Sequence, residues 1–103
     1  MKKLIIDTTD RKKIIVGLEF DGKKKIISTK KNTKSQAVLP MIRRLLEKEK
    51  IDFKDLTQIE VNPGPGSFTG LRVGISVANA MGSILRISVN GGKVGQLVKP
   101  RYT

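Results

Sequence analysis

Residues 63–67, Pro-Gly-Pro-Gly-Ser, are the part of the sequence best placed to do chemistry. They stand between an apolar stretch, 57–62, and a helix-like stretch that begins near Ser67. A strand, a Gly/Pro turn and a helix start aim several backbone N–H groups at one point, where an anion can sit. Gly64 and Gly66 supply positive φ angles or close approach, and Ser67 can cap the helix, so these three form a candidate anion-binding loop. No Gly-Lys-Ser/Thr follows, which excludes a Walker phosphate loop. Residues 65–69 lack the two glycines that flank the serine of a nucleophile elbow. The remaining chemistry is carboxylate chemistry. Asp7, Asp10 and Glu60 could serve a metal-dependent nuclease, but no acid follows residue 60, so such a cluster is short of members. Spacing alone therefore favours a structural corner, with no catalytic residue and no metal ligand expected.

Composition narrows the choice further. With neither cysteine nor histidine, the chain cannot build disulfides, thiolate nucleophiles, Cys/His zinc sites or a Ser-His relay. Its 103 residues fit one small domain. No apolar run is long enough for a membrane span, and the short Leu4-Ile5-Ile6 stretch does not make a signal peptide, so a cytoplasmic protein with no membrane association is expected. The net charge is +12, concentrated in residues 1–34, while residues 61–103 carry no acid at all. Such an excess suits either plain solubility or attraction to a polyanion such as RNA or to an acidic partner protein.

The elements that must position the loop follow from periodicity. Residues 3–9 and 11–20 read as strands, and Asp21-Gly22 is a hairpin signal leading to a lysine-rich edge strand over 23–31. Thr33 or Ser35 can cap a helix over 33–50, in which Val38, Met41, Ile42, Leu45 and Leu46 recur at three- and four-residue spacing. Pro40 should remove one hydrogen bond there and bend the first turns. A connector, 51–56, leads to a strand over 57–62 and a second helix over 67–85, and the tail, 86–98, reads as strand, Gly91-Gly92 turn and strand. The order β-β-β-α-β-α-β is that of one α/β lobe of ribonuclease-H-like, or actin-like, architecture.

In the second helix Gly70, Gly74, Ala78 and Gly82 recur every four residues as a bare stripe. Each interior glycine costs roughly 1 kcal/mol of helix propensity relative to alanine, which close approach of another backbone can offset. Val73, Ile75, Val77, Met81 and Ile84 surround the stripe, so the helix is apolar over most of its girth. A chain of 103 residues has little bulk to cover such a helix, and another polypeptide is expected to do so. The candidate interface comprises Leu39, Ile42, Arg43 and Leu46 from the first helix with Gly70, Val73, Gly74, Val77, Ala78, Met81 and Gly82 from the second.

The block Gly64-Pro65-Gly66-Ser67-Phe68-Thr69-Gly70-Leu71-Arg72-Val73-Gly74 resembles the signature of the TsaB family, also called YeaZ. Ile5-Ile6-Asp7-Thr8-Thr9 is similar to the family's opening strand, and residues 35–42, with Pro40, to its first helix. The resemblance implies a single lobe of the ASKHA (actin-like ATPase) fold over residues 1–103, with the second lobe absent. It implies a non-catalytic scaffold subunit in N6-threonylcarbamoyladenosine (t6A) formation on tRNA. Its partners would be a TsaD-like carbamoyltransferase, a TsaE-like ATPase and, as an alternative, a second copy of itself, met through the two helices. No cofactor is implied, because one lobe alone lacks the cleft in which this fold holds ATP. Asp7 stands where the fold often has a phosphate-proximal acid, and here it is read as capping the loop after the first strand. Two other readings remain: a small basic RNA-binding protein, with tRNA meeting the basic surface, and a ribonuclease-H-like nuclease.

Overall fold

A computed structural model describes residues 1–30, 34–66 and 68–102. The caps read at Thr33 and Ser67 lie outside the described residues, as does Lys31 of the edge strand, and the Ser35 side chain is likewise not described.

Five strands form one sheet in the order β3-β2-β1-β4-β5. β1 (Lys2–Asp7) pairs antiparallel with β2 (Lys13–Phe20), which pairs antiparallel with β3 (Lys23–Lys30). Asp21 and Gly22 turn the second hairpin with φ of 50° and 73°, the geometry that a two-residue turn requires. On its other side β1 lies parallel to β4 (Gln58–Val61), and β4 lies parallel to β5 (Ser88–Val89). Helix α1 (Lys34–Lys48) connects β3 to β4 through a 3₁₀ turn at Phe53–Asp55, and α2 (Phe68–Leu85) connects β4 to β5. The order expected from the sequence is the order found.

Alternation fixes which face the helices cover. Leu4 and Ile6 of β1, Ile14, Val16 and Leu18 of β2, and Ile59 and Val61 of β4 are buried under Val38, Ile42 and Leu45 of α1 and Leu71, Ile75 and Ala78 of α2. Each such valine, leucine or isoleucine contributes about 1.5–3 kcal/mol on leaving water. The opposite parity, Lys3, Ile5 and Asp7 with Gln58, Glu60 and Asn62, lines a shallow groove of about 490 Å³ on the other face.

Pro40 does not stop α1, which continues to Lys48. The proline sits on the exposed side and removes one N–H, while buried residues before and after it, Val38 and Ile42, hold both halves to the sheet. Both helices end alike. Lys50 at φ 57° and Arg86 at φ 56° take the left-handed position, and Ile51 N–H and Ile87 N–H bond back to the Leu46 and Gly82 carbonyls.

The tail differs from the expectation. Only Ser88–Val89 forms a strand, and no second strand follows the Gly91-Gly92 turn. The Asn90 side chain supplies the physical reason, since it accepts from Val61 N–H (2.8 Å) and donates to the Val61 carbonyl (2.9 Å). It takes the ladder position that the next strand residue would have filled. Residues 93–102 instead run back along α2. Asn79 there donates to the Val98 carbonyl (3.0 Å) and accepts its N–H (2.9 Å), and Arg101 N–H reaches the Pro63 carbonyl (2.7 Å).

Candidate functional site

Thr8 follows the inward parity of Leu4 and Ile6 and is the polar residue at the end of that buried row. Its hydroxyl donates to the Gly70 carbonyl (2.5 Å) and accepts from Gly74 N–H (3.1 Å), both in α2. The helix can come this close because Gly74 has no side chain: a Cβ there would stand 2.5 Å from the Thr8 hydroxyl oxygen. Farther along, a Cβ on Gly82 would stand 2.5 Å from a Val89 methyl. The bare stripe is thus pressed against β1 and β5 of its own protein.

This corrects the candidate interface. Gly70, Gly74, Ala78, Met81 and Gly82 of α2, with Ile42 and Leu46 of α1, are buried within the protein and cannot present themselves to a partner without leaving the core. The inference that a 103-residue chain has too little bulk to shelter the stripe fails for a geometric reason. Glycine brings the helix close enough for two strands to cover that side completely. Leu39 (50 % exposed) and Arg43 of α1 remain at the surface, and Val73 and Val77 of α2 are half-buried.

What α2 leaves outward is one flank. Val73, Val77, Ala80 and Ile84 follow one another at spacings of four, three and four, about 100° around the helix from Gly70, Gly74 and Ala78. Ile84 is 79 % exposed. On α1, Leu39, Pro40, Arg43 and Arg44 line a groove of about 530 Å³ with Phe53. The helical layer thus offers an apolar flank on α2 and, on α1, a groove bordered by two arginines and Glu47. The i, i+4, i+7 run of apolar residues from Val73 marks this flank in the sequence, beside the more conspicuous glycine stripe.

The loop before α2 is spent on packing. Gly64, at φ 116°, gives its N–H to the Asn62 side chain (3.0 Å), and a Cβ on it would strike the Arg101 carbonyl oxygen at 2.1 Å. The Gly64–Pro65 peptide is cis. Gly66 lies against Thr9, with 2.7 Å available for a Cβ. With two prolines lacking N–H groups and Gly64 N–H occupied, few donors remain for an anion, and Ser67 lies outside the described residues.

Asp7 holds the exit of β1. Its carboxylate accepts from Thr9 N–H (2.9 Å), the Thr9 hydroxyl (2.7 Å) and the Asn62 amide (3.2 Å). Burial opposes its ionisation, but the Thr9 and Asn62 donors outweigh that, and the group sits below the usual carboxylate value. The other two acids are engaged elsewhere. Asp10 accepts from the backbone of Lys12 and Lys13, and Glu60 pairs with Lys3 (3.1 Å), which also meets Glu19 (3.1 Å). Among the described residues no three His, Cys, Asp or Glu side chains gather where a metal ion could be held. No helix among them is long and apolar enough to cross a membrane.

Comparison with known proteins agrees with this architecture. The family model described as "TsaD: tRNA N6-adenosine threonylcarbamoyltransferase" matches residues 26–91. The chain is 39 % identical over 72 residues to the tRNA threonylcarbamoyladenosine biosynthesis protein TsaB of Buchnera aphidicola subsp. Schizaphis graminum (strain Sg), covering 67 % of this chain and 34 % of that protein. It is 36 % identical over 47 residues to the protein of the same name from Escherichia coli (strain K12), covering 46 % of this chain and 20 % of the other. Among solved structures it is similar to YeaZ from Pseudomonas aeruginosa, with a TM-score of 0.82 and 28 % identity over 86 % of this chain and 43 % of that one. The chain therefore spans less than half the length of these relatives. A family match across well over half of its residues, together with these relatives and an actin-like, ribonuclease-H-like fold, places the chain in this threonylcarbamoyltransferase family, on its TsaB (YeaZ) side.

Proposed function

We propose that the chain acts in threonylcarbamoyladenosine formation on tRNA as a scaffold subunit that docks a TsaD-like carbamoyltransferase through its helical layer. The observation that carries this reading is the outward flank of α2, half-buried Val73 and Val77 with exposed Ala80 and Ile84, left at the surface after the glycine face has been used internally. Leu39 and the arginines of α1 extend it. α2 is 18 residues long, about 27 Å, enough for one side of a standard protein–protein contact. A TsaE-like ATPase joins the assembly in this reading, and the chain itself contributes position rather than chemistry, with no nucleotide assigned to it.

The test is co-purification of a TsaD-like carbamoyltransferase with Leu39→Glu/Ile84→Glu, whose two sites are exposed and tolerate charge without unfolding. Capture lost from a folded variant supports the reading, and capture retained contradicts it. Self-association through the same flank would show as a concentration-dependent dimer that the same variant abolishes, and it would make a second copy the occupant instead.

A further inference from the structure

We infer that the β2–β3 ribbon is a binding edge for the RNA phosphodiester backbone. Arg11, Lys12 and Lys13 at the entry to β2 and Lys30 at the end of β3 form one cluster, and Lys23, Lys24 and Lys25 form another at the ribbon's opposite end. All seven are exposed. Among the described residues none of the seven forms an ion pair: Glu19, opposite Lys24 in the ladder, is taken by Lys3, which holds both ion pairs found there.

Protection of the outer edge against strand pairing accounts for lysines on β3. It does not account for the rest. Lys13 lies on β2, inside the edge, and is directly opposite Lys30 in the ladder, a like-charge pair that destabilises the ribbon until an anion meets it. At about 3.3 Å per residue Lys30 stands about 17 to 23 Å from Lys25 through Lys23, about two to three Debye lengths at physiological salt, so one small anion cannot satisfy both ends. A polyanion can.

Geometry selects RNA over a lipid surface. Alternation sends Lys23 and Lys25 to one face of the ribbon and Lys24 and Lys30 to the other, so a plane could engage only half of them. A curved backbone that straddles the edge engages both. No aromatic residue lies on β3, so base stacking is not supplied and binding is blind to sequence. This inference rests on the proposed function only in choosing tRNA as the probe.

Fluorescence anisotropy with bulk tRNA, an unrelated folded RNA of equal length, phosphatidylserine vesicles and polyglutamate tests it. The two RNAs should bind alike, with log K falling against log salt at a slope of about −3 to −5, as four or five phosphate contacts require. Lys13→Gln/Lys24→Gln/Lys30→Gln should flatten that slope by about 2 and weaken binding at least roughly tenfold. The control Lys48→Gln/Lys54→Gln/Lys99→Gln should change neither. A slope shallower than about −1, tighter binding to vesicles or polyglutamate, or an equal effect of the control set would overturn the inference. Leu39→Glu/Ile84→Glu should leave RNA binding intact, which separates a failure here from a failure of the docking proposal.

Discussion

The Thr8 hydroxyl sits between the Gly70 carbonyl and Gly74 N–H, bonded to both, so the end of the central strand is fastened to the first turns of α2. The glycine at 74 is what admits it. Sheet and helix are therefore held at a fixed spacing at the point where the Gly/Pro loop releases the chain into the helix.

That relationship sets the sign of a substitution. Gly74→Ala gains about 1 kcal/mol of helix propensity, yet its methyl would displace the Thr8 hydroxyl, an overpacking cost of about 1–3 kcal/mol. Urea unfolding should show net destabilisation for Gly74→Ala and more for Gly74→Leu. Thr8→Val, which removes both hydrogen bonds at nearly constant volume, should cost about 1–2 kcal/mol. A more stable Gly74→Ala would mean that the glycine stripe is not packed against β1.

The tail depends on one side chain. Asn79 pairs with both backbone groups of Val98, as a peptide unit would. Asn79→Ala should release residues 93–102 without unfolding the sheet, because only Val98 of that segment packs on the core. Limited trypsin digestion should then cut after Lys93 and Arg101 several-fold faster than in the unsubstituted chain, a rate that follows local opening.

Asp7 gives a pH dependence of known sign. Its folded-state pKa lies below the unfolded value of 3.8, so its stabilising effect is complete above that pH and is lost as the pH falls through the folded value. Asp7→Asn should remove this part of the acid sensitivity. Unfolding curves at pH 5 and about pH 2.5 should differ less for the variant than for the original chain.

Much of this was legible in the residues. Apolar runs located β1 and β4, period-two alternation located β2, the Asp21-Gly22 hairpin signal located β3, three- and four-residue spacing located α1, and the four-residue repeat of small residues marked α2. The glycine stripe announced close approach but not the partner, since Thr8 and Val89 are distant in sequence and only the sheet order brings them under α2. The tail misled for a similar reason. Val94, Leu97 and Val98 read as a strand, but the side chains of Asn79 and Asn90 take the backbone bonds that a strand would have used. Asparagine acting as a surrogate peptide leaves no periodic trace.

The most direct measurement is the affinity of a TsaD-like carbamoyltransferase for the chain and for Leu39→Glu/Ile84→Glu, taken by titration calorimetry with folding of the variant checked by circular dichroism. The account predicts a loss of about a hundredfold or more, the scale of two buried apolar anchors replaced by charge. An affinity within about threefold of the unsubstituted chain would contradict it.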